Sequence, residues 1–431
     1  MHSNASKTRK NIINRDNTHN TSLQTNKLKT LVQEHNNWNL NKKIKTSLAC
    51  EDMPVVKALN ITDHIIHSRH SSNVPDGAHP ALFLTYTSHH SKEELKKLCK
   101  EIEQCMLQID NKKIEHPNSK KKVWDLIHPS RYPFVEGMSR DMNNRIFEIP
   151  QNLISYNKKR KNHFYLSRYE MVKSTYRWIP TIFRVTDSPT RQFEEYYIEQ
   201  KSYINDLFIE NLKLKQEIET VILKAFGVCF LLFEELYNMM GSHDTLKNKD
   251  LQVMVKSAYY LLKPGQSHEG VWHVEGMPDE HIIMTSIMYY QDDFAESFLE
   301  MRRDVSEDEA FERTFVLPQN AIVDEEDKLL VRHLTYLQTR TYSAYAWPNS
   351  CQHKLLPLKN TSNKMKKRSF LAFFLVDPNV KIPDTSMIKP QNEYIGEKTL
   401  NLNMHNLMEE RKKIKVKLNE NLEEEISYCE H

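Results

Sequence analysis

Past about residue 250 the chain changes character, and that change most constrains what it can fold into. Leu251 to Leu262 and Ile282 to Tyr290 are rich in Val, Ile, Met and Tyr, and Ser369 to Val376 is a short apolar run closed by Asp377-Pro378. Such runs, separated by polar loops, predict strands, and several in succession predict an antiparallel sheet or jelly-roll barrel in the C-terminal half. The intervening Gln291 to Gln338 stretch is more acidic and contains at least one loop.

Before residue 250 the apolar spacing is helical. In Lys92 to Ile109, residues Leu95, Leu98, Ile102, Cys105, Met106 and Ile109 recur every three or four positions, which predicts an amphipathic helix. A basic break from Asn111 to Lys122 follows, and Pro129 and Pro133 then argue against a continuous helix through Trp124 to Arg140. Beyond the polar gap Tyr156 to Asn162 comes an aromatic patch, Phe164 to Phe183. Glu210 to Met239 reads as a long, partly buried helix with Gly227 as its weak point. Helical character returns in Asn401 to Glu425, whose charge runs suit a solvated face.

No internal repeat is evident. The expected architecture is therefore α+β: a polar, basic, disordered tail over 1–50, a mostly helical region over 51–245 packing on a double-stranded β-helix (jelly-roll, cupin-like) core over 246–395, and a C-terminal helix over 396–431.

A net charge of +3 against 27% charged residues offers no global electrostatic argument for nucleic acid. The six cysteines, at 50, 99, 105, 229, 351 and 429, lack short paired spacings, which reads as reduced thiols inside a cell. No window reaches the roughly 18 consecutive apolar residues of a membrane span, and the N-terminus lacks a secretory apolar core. A cytoplasmic or nuclear protein is expected. The first 45 or so residues, with only Asp16 and Glu34 as acids, superficially suit a mitochondrial transit peptide, but their sparse apolar residues favour a solvated tail.

The chemistry-bearing run is Val271-Trp272-His273-Val274-Glu275-Gly276-Met277. On an extended strand, side chains two apart share a face, so His273 and Glu275 could clamp one metal ion. Such pairs arise by chance in a chain this rich in His and acid, and a His beside Trp272 satisfied by a local hydrogen bond is the competing reading. His268, Glu269, Asp279, Glu280 and His281 lie close by; His281 suits a surface or supporting role. A second imidazole would complete the two-His, one-carboxylate facial triad of non-haem iron(II) oxygenases. His353, in Trp347-Pro348-Asn349-Ser350-Cys351-Gln352-His353, is the better candidate and His333 its rival.

Downstream of His353, Arg368 stands at the mouth of the apolar strand Ser369 to Leu375. A planar guanidinium suits the far carboxylate of 2-oxoglutarate, whereas Lys364 to Arg368 read by composition is a basic surface loop or nuclear-import patch. Tyr259, Tyr260 and Trp272 are pocket-wall candidates or plain barrel core.

An ordered set of segments resembles the family carrying the domain of unknown function 4246: Leu126-Ile127-His128-Pro129-Ser130-Arg131-Tyr132-Pro133, Trp178-Ile179-Pro180, Ser202-Tyr203-Ile204-Asn205, Trp272 to Met277 with Glu280-His281-Ile282, Glu296-Ser297, Gln352-His353, Arg368 leading into Leu371 to Pro378, and Cys429-Glu430-His431. The C-terminal half of that family looks like an iron(II)/2-oxoglutarate dioxygenase barrel. The resemblance implies a metal triad of His273, Glu275 and His353, Arg368 as the 2-oxoglutarate anchor, and Fe(II), 2-oxoglutarate and O₂ as cofactor and cosubstrates; it supplies no substrate. Glu in the carboxylate position is less common than Asp among such oxygenases but similar to the family's own pattern. The Lys364 to Lys367 insert is a departure, and Lys367 is expected on the strand face opposite Arg368. The competing expectations are a catalytically silent jelly-roll scaffold and a cupin-like enzyme that does not use 2-oxoglutarate.

Overall fold

The structure is a computed structural model and describes residues 53–57, 65–67, 82–84, 89–150, 153, 174–187, 196–239, 242, 244–305, 322–323, 330–349 and 351–418. The first half contains β1 (Val55–Lys57), β2 (Ile65–His67), β3 (Leu82–Leu84), α1 (His89–Gln108), β4 (Ile114–Glu115), β5 (Val123–Ile127), β6 (Phe134–Val135), β7 (Tyr176–Arg177), β8 (Thr181–Asp187), β9 (Tyr196–Gln200) and α2 (Leu212–Met239). The second half contains β10 (Asp250–Leu262), β11 (Ser267–His268), β12 (Ile282–Asp292), β13 (Phe298–Val305), β14 (Ile322–Val323), β15 (Leu330–Gln338), β16 (Ser343–Pro348), β17 (Gln352–Leu355), β18 (Leu358–Lys359), β19 (Lys366–Val376) and α3 (Glu397–Leu418).

The three apolar runs of the second half form the centre of one antiparallel sheet ordered β1-β9-β8-β10-β19-β12-β16-β3-β2, with β5 also on β10 and β4 on β5. β10 pairs with β19 from Val253↔Leu375 to Leu262↔Lys366. Its other edge is shared in succession by β8 and β5. A strand paired on both edges and covered on both faces needs apolar residues without alternation, which is why β10 reads as a continuous run. A smaller sheet, β14-β15-β13-β17, carries His353.

The two faces of the large sheet have separate cores, sorted by the two-residue period. On one face Val253, Val255, Leu371, Phe373 and Leu375 meet α1 and α2. Phe226 of α2 lies 4.9 Å from the Phe183 ring and 5.4 Å from the Phe373 ring. On the inner face Met254, Ala258, Tyr260, Phe370, Ala372 and Phe374 meet Leu299 and Met301 of β13 and Leu355 of β17. This is a mixed α/β fold with a large antiparallel sheet; closure into a barrel is not part of the observed pairing.

The N-terminal region, expected to be mostly helical, supplies strands as well: β1, β2, β3, β4, β5, β8 and β9 all join the large sheet. Short strands such as β1 and β3 escape a period count because three residues carry no pattern. The apolar stripe of α1 is buried as its spacing predicts, with Leu95, Leu98, Ile102 and Met106 all at most 2% exposed. Each such side chain contributes roughly 1.5–3 kcal/mol by leaving water. α3 docks Leu407 on the inner core. The expected tail over 1–50, the Phe164 end of the aromatic patch and the terminal Cys429-Glu430-His431 lie outside the described residues. Cys99, Cys105, Cys229 and Cys351 are buried free thiols, and no described helix is long and apolar enough to cross a membrane.

Candidate metal centre

His273 and His353 are brought together by backbone pairing. Gly270 donates its N–H to the Leu355 carbonyl at 2.9 Å, and a Cβ at Gly270 would stand 2.9 Å from Leu355 N. The segment therefore runs hard against β17. His273 N–H then donates to His353 O at 3.1 Å and His353 N–H to His273 O at 3.0 Å, an isolated antiparallel bridge. Residues directly opposite in such a pair project to one face. The two imidazole centroids are 4.1 Å apart.

Glu275 does not reach this face along a regular strand, as its spacing suggested: beyond the His273 bridge the chain bends. The next residue, Gly276, has φ +68°, and a Cβ there would lie 2.5 Å from Ile282 Cδ1 and 2.6 Å from Glu280 Oε2. Only glycine fits that turn. It leaves Glu275 Oε1 3.6 Å from His273 Nε2 and 3.5 Å from His353 Nε2, with all three side chains at most 3% exposed.

These separations are too long for good hydrogen bonds. Donors bound to one ion at about 2.0–2.2 Å, and at angles of about 90–110°, stand roughly 3–3.6 Å apart. Glu275 Oε2 is buried with no hydrogen-bond partner among the described residues. His273 Nδ1 lies 2.8 Å from the Val271 carbonyl, so the Nδ1–H tautomer is favoured and the Nε2 lone pair faces the cluster. Burial would raise the Glu275 carboxyl, but His273 and His353 beside it, with Lys256, hold it well below the usual carboxylate range. Two imidazoles and an ionised carboxylate fit an iron(II)-like cation.

Arg368 faces the same apolar core. Its strand neighbours Phe370 and Phe374 belong to the inner cluster with Trp347 and Leu355, which flank His353. The guanidinium is buried over the Tyr289 ring at 4.4 Å and donates to the Tyr289 hydroxyl at 2.7 Å; Nε is 3.5 Å from Asp292 Oδ2. Lys367 points the other way, its ammonium 4.3 Å from the Tyr259 ring. Tyr259 thus belongs to the helix-covered face and bonds Asp110 there at 2.7 Å, so of the adjacent tyrosines only Tyr260 suits an inner wall. Trp272 lies between cations, 4.0 Å from the Arg302 guanidinium and 5.1 Å from Lys354 Nζ.

The remaining candidates are placed elsewhere. Glu269 pairs with Lys354 at 3.8 Å and Asp279 with Arg177 at 2.8 Å. His281 is buried at φ +52°, and burial lowers its pKa to about 4. His333 is on β15 opposite Arg302, its side chain outside the described residues.

Two supports escaped the sequence reading. Asn349 accepts the Glu275 N–H at 3.0 Å and donates to Glu275 O at 2.7 Å and Ile282 O at 3.2 Å, clipping the Glu275 turn to β12. Glu280 accepts the Met277 and Trp178 N–H groups, each at 2.6 Å, and pairs with Arg411 of α3. Asn349 lay inside the Trp347 to His353 run, but nothing in that run distinguishes a clip from a turn residue.

No curated protein matches the chain. Solved structures similar in part include IDO from Bacillus thuringiensis (8% identity, 46% of this chain, 74% of that chain, TM-score 0.25). Others are the Fe(II)/(alpha)ketoglutarate-dependent dioxygenase TqaL (13%, 51%, 77%, 0.25) and an oxidoreductase of the 2OG-Fe(II) oxygenase family from Burkholderia pseudomallei (9%, 44%, 72%, 0.23). The family model described as "Protein of unknown function (DUF4246)" matches residues 84–239 and 231–398, most of the sequence, and the chain belongs to that family.

Proposed function

We propose that this protein is an iron(II)- and 2-oxoglutarate-dependent oxygenase, with His273, Glu275 and His353 as the metal ligands and Arg368 as the cosubstrate anchor. The observation that carries the reading is the convergence of two imidazoles and a buried carboxylate whose second oxygen has no hydrogen-bond partner among the described residues. Iron(II) held there would, with 2-oxoglutarate and O₂, supply hydroxylation of a substrate C–H bond with release of succinate and CO₂. On this reading the large and small sheets are the facing walls of a jelly-roll core.

The chain's own residues have definite tasks. The Val271 carbonyl holds the His273 tautomer, and Asn349 fixes the backbone of Glu275. Arg368 and the Tyr289 hydroxyl together offer charge and hydrogen bonding to a carboxylate, in a wall lined by Tyr260 and Phe370 that excludes water. Asp292 orients the guanidinium from the side.

Anaerobic addition of iron(II) and then 2-oxoglutarate tests the proposal. A metal-to-ligand charge-transfer band is expected from the wild type, and its absence overturns the reading. His273→Ala is expected to abolish the band. Arg368→Ala should raise the 2-oxoglutarate concentration needed to saturate it, and unchanged saturation refutes the anchor.

A further inference from the structure

The segment Leu126 to Pro133 is absorbed by none of this chemistry, yet it ends a second buried cluster. His116 follows β4, Asp125 lies in β5, and His128 comes directly after β5. The hairpin is closed by the His116 N–H donating to the Val123 carbonyl at 3.0 Å. Asp125 sits opposite Ala258 of β10, an inner-face position. One donor atom from each of His116, Asp125 and His128 lies within 4.8 Å of the other two, and the three residues are 3%, 1% and 2% exposed.

We propose that His116, Asp125 and His128 form a second metal site, for a zinc-like divalent cation, separate from the His273, Glu275 and His353 centre. Two imidazoles and one carboxylate are a borderline nitrogen and oxygen donor set suited to zinc. Asp125 Oδ2 lies 2.8 Å from His116 Nδ1, which serves a hydrogen bond as it stands and two ligands of one ion once the pair opens by a few tenths of an ångström. Asp125 Oδ1 separates these uses: it is buried with no hydrogen-bond partner among the described residues, a costly state for a carboxylate that a cation relieves.

The surroundings hold the cluster in place. The Asp206 carboxylate accepts the His128 N–H at 2.9 Å, and the His128 ring meets Trp178 edge-on with centroids 6.2 Å apart. Ser130 N–H donates to His128 Nδ1 at 3.1 Å, so loading through Nε2 moves the ring proton to Nδ1 and ends that bond. Coordination must outweigh this one weak contact. Burial of all three donors suits a solvent-shielded site that ties the β4–β5 hairpin to the inner core, with the second Asp125 oxygen or a water left to complete the four positions zinc takes.

Full-length protein stripped of metal and dialysed anaerobically against cobalt(II) provides the test, read as bound cobalt per chain and as visible d–d absorption. Wild type is expected to bind two equivalents and His353→Ala one. His116→Ala and Asp125→Asn should each lose one equivalent, or bind it at least about tenfold more weakly, while keeping the iron(II) and 2-oxoglutarate charge-transfer band. Asp125→Asn keeps the shape of the side chain and an oxygen toward His116, so it carries the test if His116→Ala does not fold. Cobalt binding by Asp125→Asn equal to wild type in number and affinity overturns the proposal, as does a wild type whose cobalt is lost entirely on His353→Ala. A missing charge-transfer band beside an intact Asp125-dependent cobalt site would sink the oxygenase reading alone.

Discussion

Asn349→Ala separates a site held by its backbone from one held by its ligands alone. The Asn349 side chain makes three bonds to main-chain groups, at 2.7, 3.0 and 3.2 Å, and accepts from the Thr285 hydroxyl at 3.3 Å. The two shorter bonds hold both polar groups of Glu275, and each is worth about 1 kcal/mol net, rising toward 1–3 kcal/mol where the abandoned group stays buried. The loss in unfolding free energy should therefore be roughly 2–4 kcal/mol, measured by chemical denaturation of metal-free protein. The functional consequence is larger than the structural one, because Glu275 is the proposed ligand facing both imidazoles. Removing a support of this kind typically weakens metal binding by about 10–100-fold. Anaerobic iron(II) titration, followed through the charge-transfer band at saturating 2-oxoglutarate, reads that shift. Asn349→Asp should be no better: it retains the acceptor for Glu275 N–H but turns its other oxygen on the Glu275 and Ile282 carbonyls. An Asn349→Ala variant that binds iron(II) as tightly as wild type would refute the reasoning that the clip positions Glu275.

Three further outcomes follow from other parts of the molecule. Gly276→Ala should lose metal affinity and stability together, because its Cβ would overlap Ile282 and Glu280 at a positive φ; wild-type iron(II) affinity in this variant would contradict the turn geometry. Phe226→Ala should cost about 3–5 kcal/mol in denaturation while leaving the charge-transfer band intact, since it empties the helix-covered face and not the inner one. Burial pushes the Asp206 carboxyl up to about 7 despite Arg131, so it favours folding while protonated, and that contribution fades as pH rises from about 4 through 7. Asp206→Asn, tolerated at its φ of +67°, should remove the fade, and parallel stability-versus-pH curves for the two proteins would refute the assignment.

What was legible in the sequence follows from where the information lies. The α1 stripe and the three long strands are local patterns, and they were readable because burial on one helix face or throughout a central strand leaves a periodic or continuous apolar signature. β1, β2 and β3 are three residues each; β1 and β3 pair with β9 and β16 far along the chain and β2 with β3, so strands arise in a region expected to be helical without any local cue. β10 shows the limit within a strand: with both faces buried, nothing local tells Tyr259 from Tyr260, and only the register with β19 sends one to the helices and the other to the inner core.

The site divides along the same line. Ligand identity is chemical and local, so His273, Glu275 and His353 could be nominated from residue types. Their arrangement is not: the two imidazoles meet through main-chain hydrogen bonds between positions eighty residues apart, and Glu275 turns inward through a glycine whose need arises from Ile282 and Glu280. Glu280 also carries this dependence to the end of the described chain. It is a buried carboxylate raised to about 7 by burial against the pull of Arg411, and Arg411 comes from α3. Breaking a buried pair from one side costs about 3–5 kcal/mol, more than removing both partners together. Arg411→Met should therefore loosen the Glu275 turn and weaken iron(II) binding, whereas Arg411→Lys, which keeps a cation beside Glu280, should hold both closer to wild type. Equal losses in Arg411→Met and Arg411→Lys, beside a larger one in Leu407→Ala, would show that α3 holds the centre by packing Leu407, and not through the ion pair.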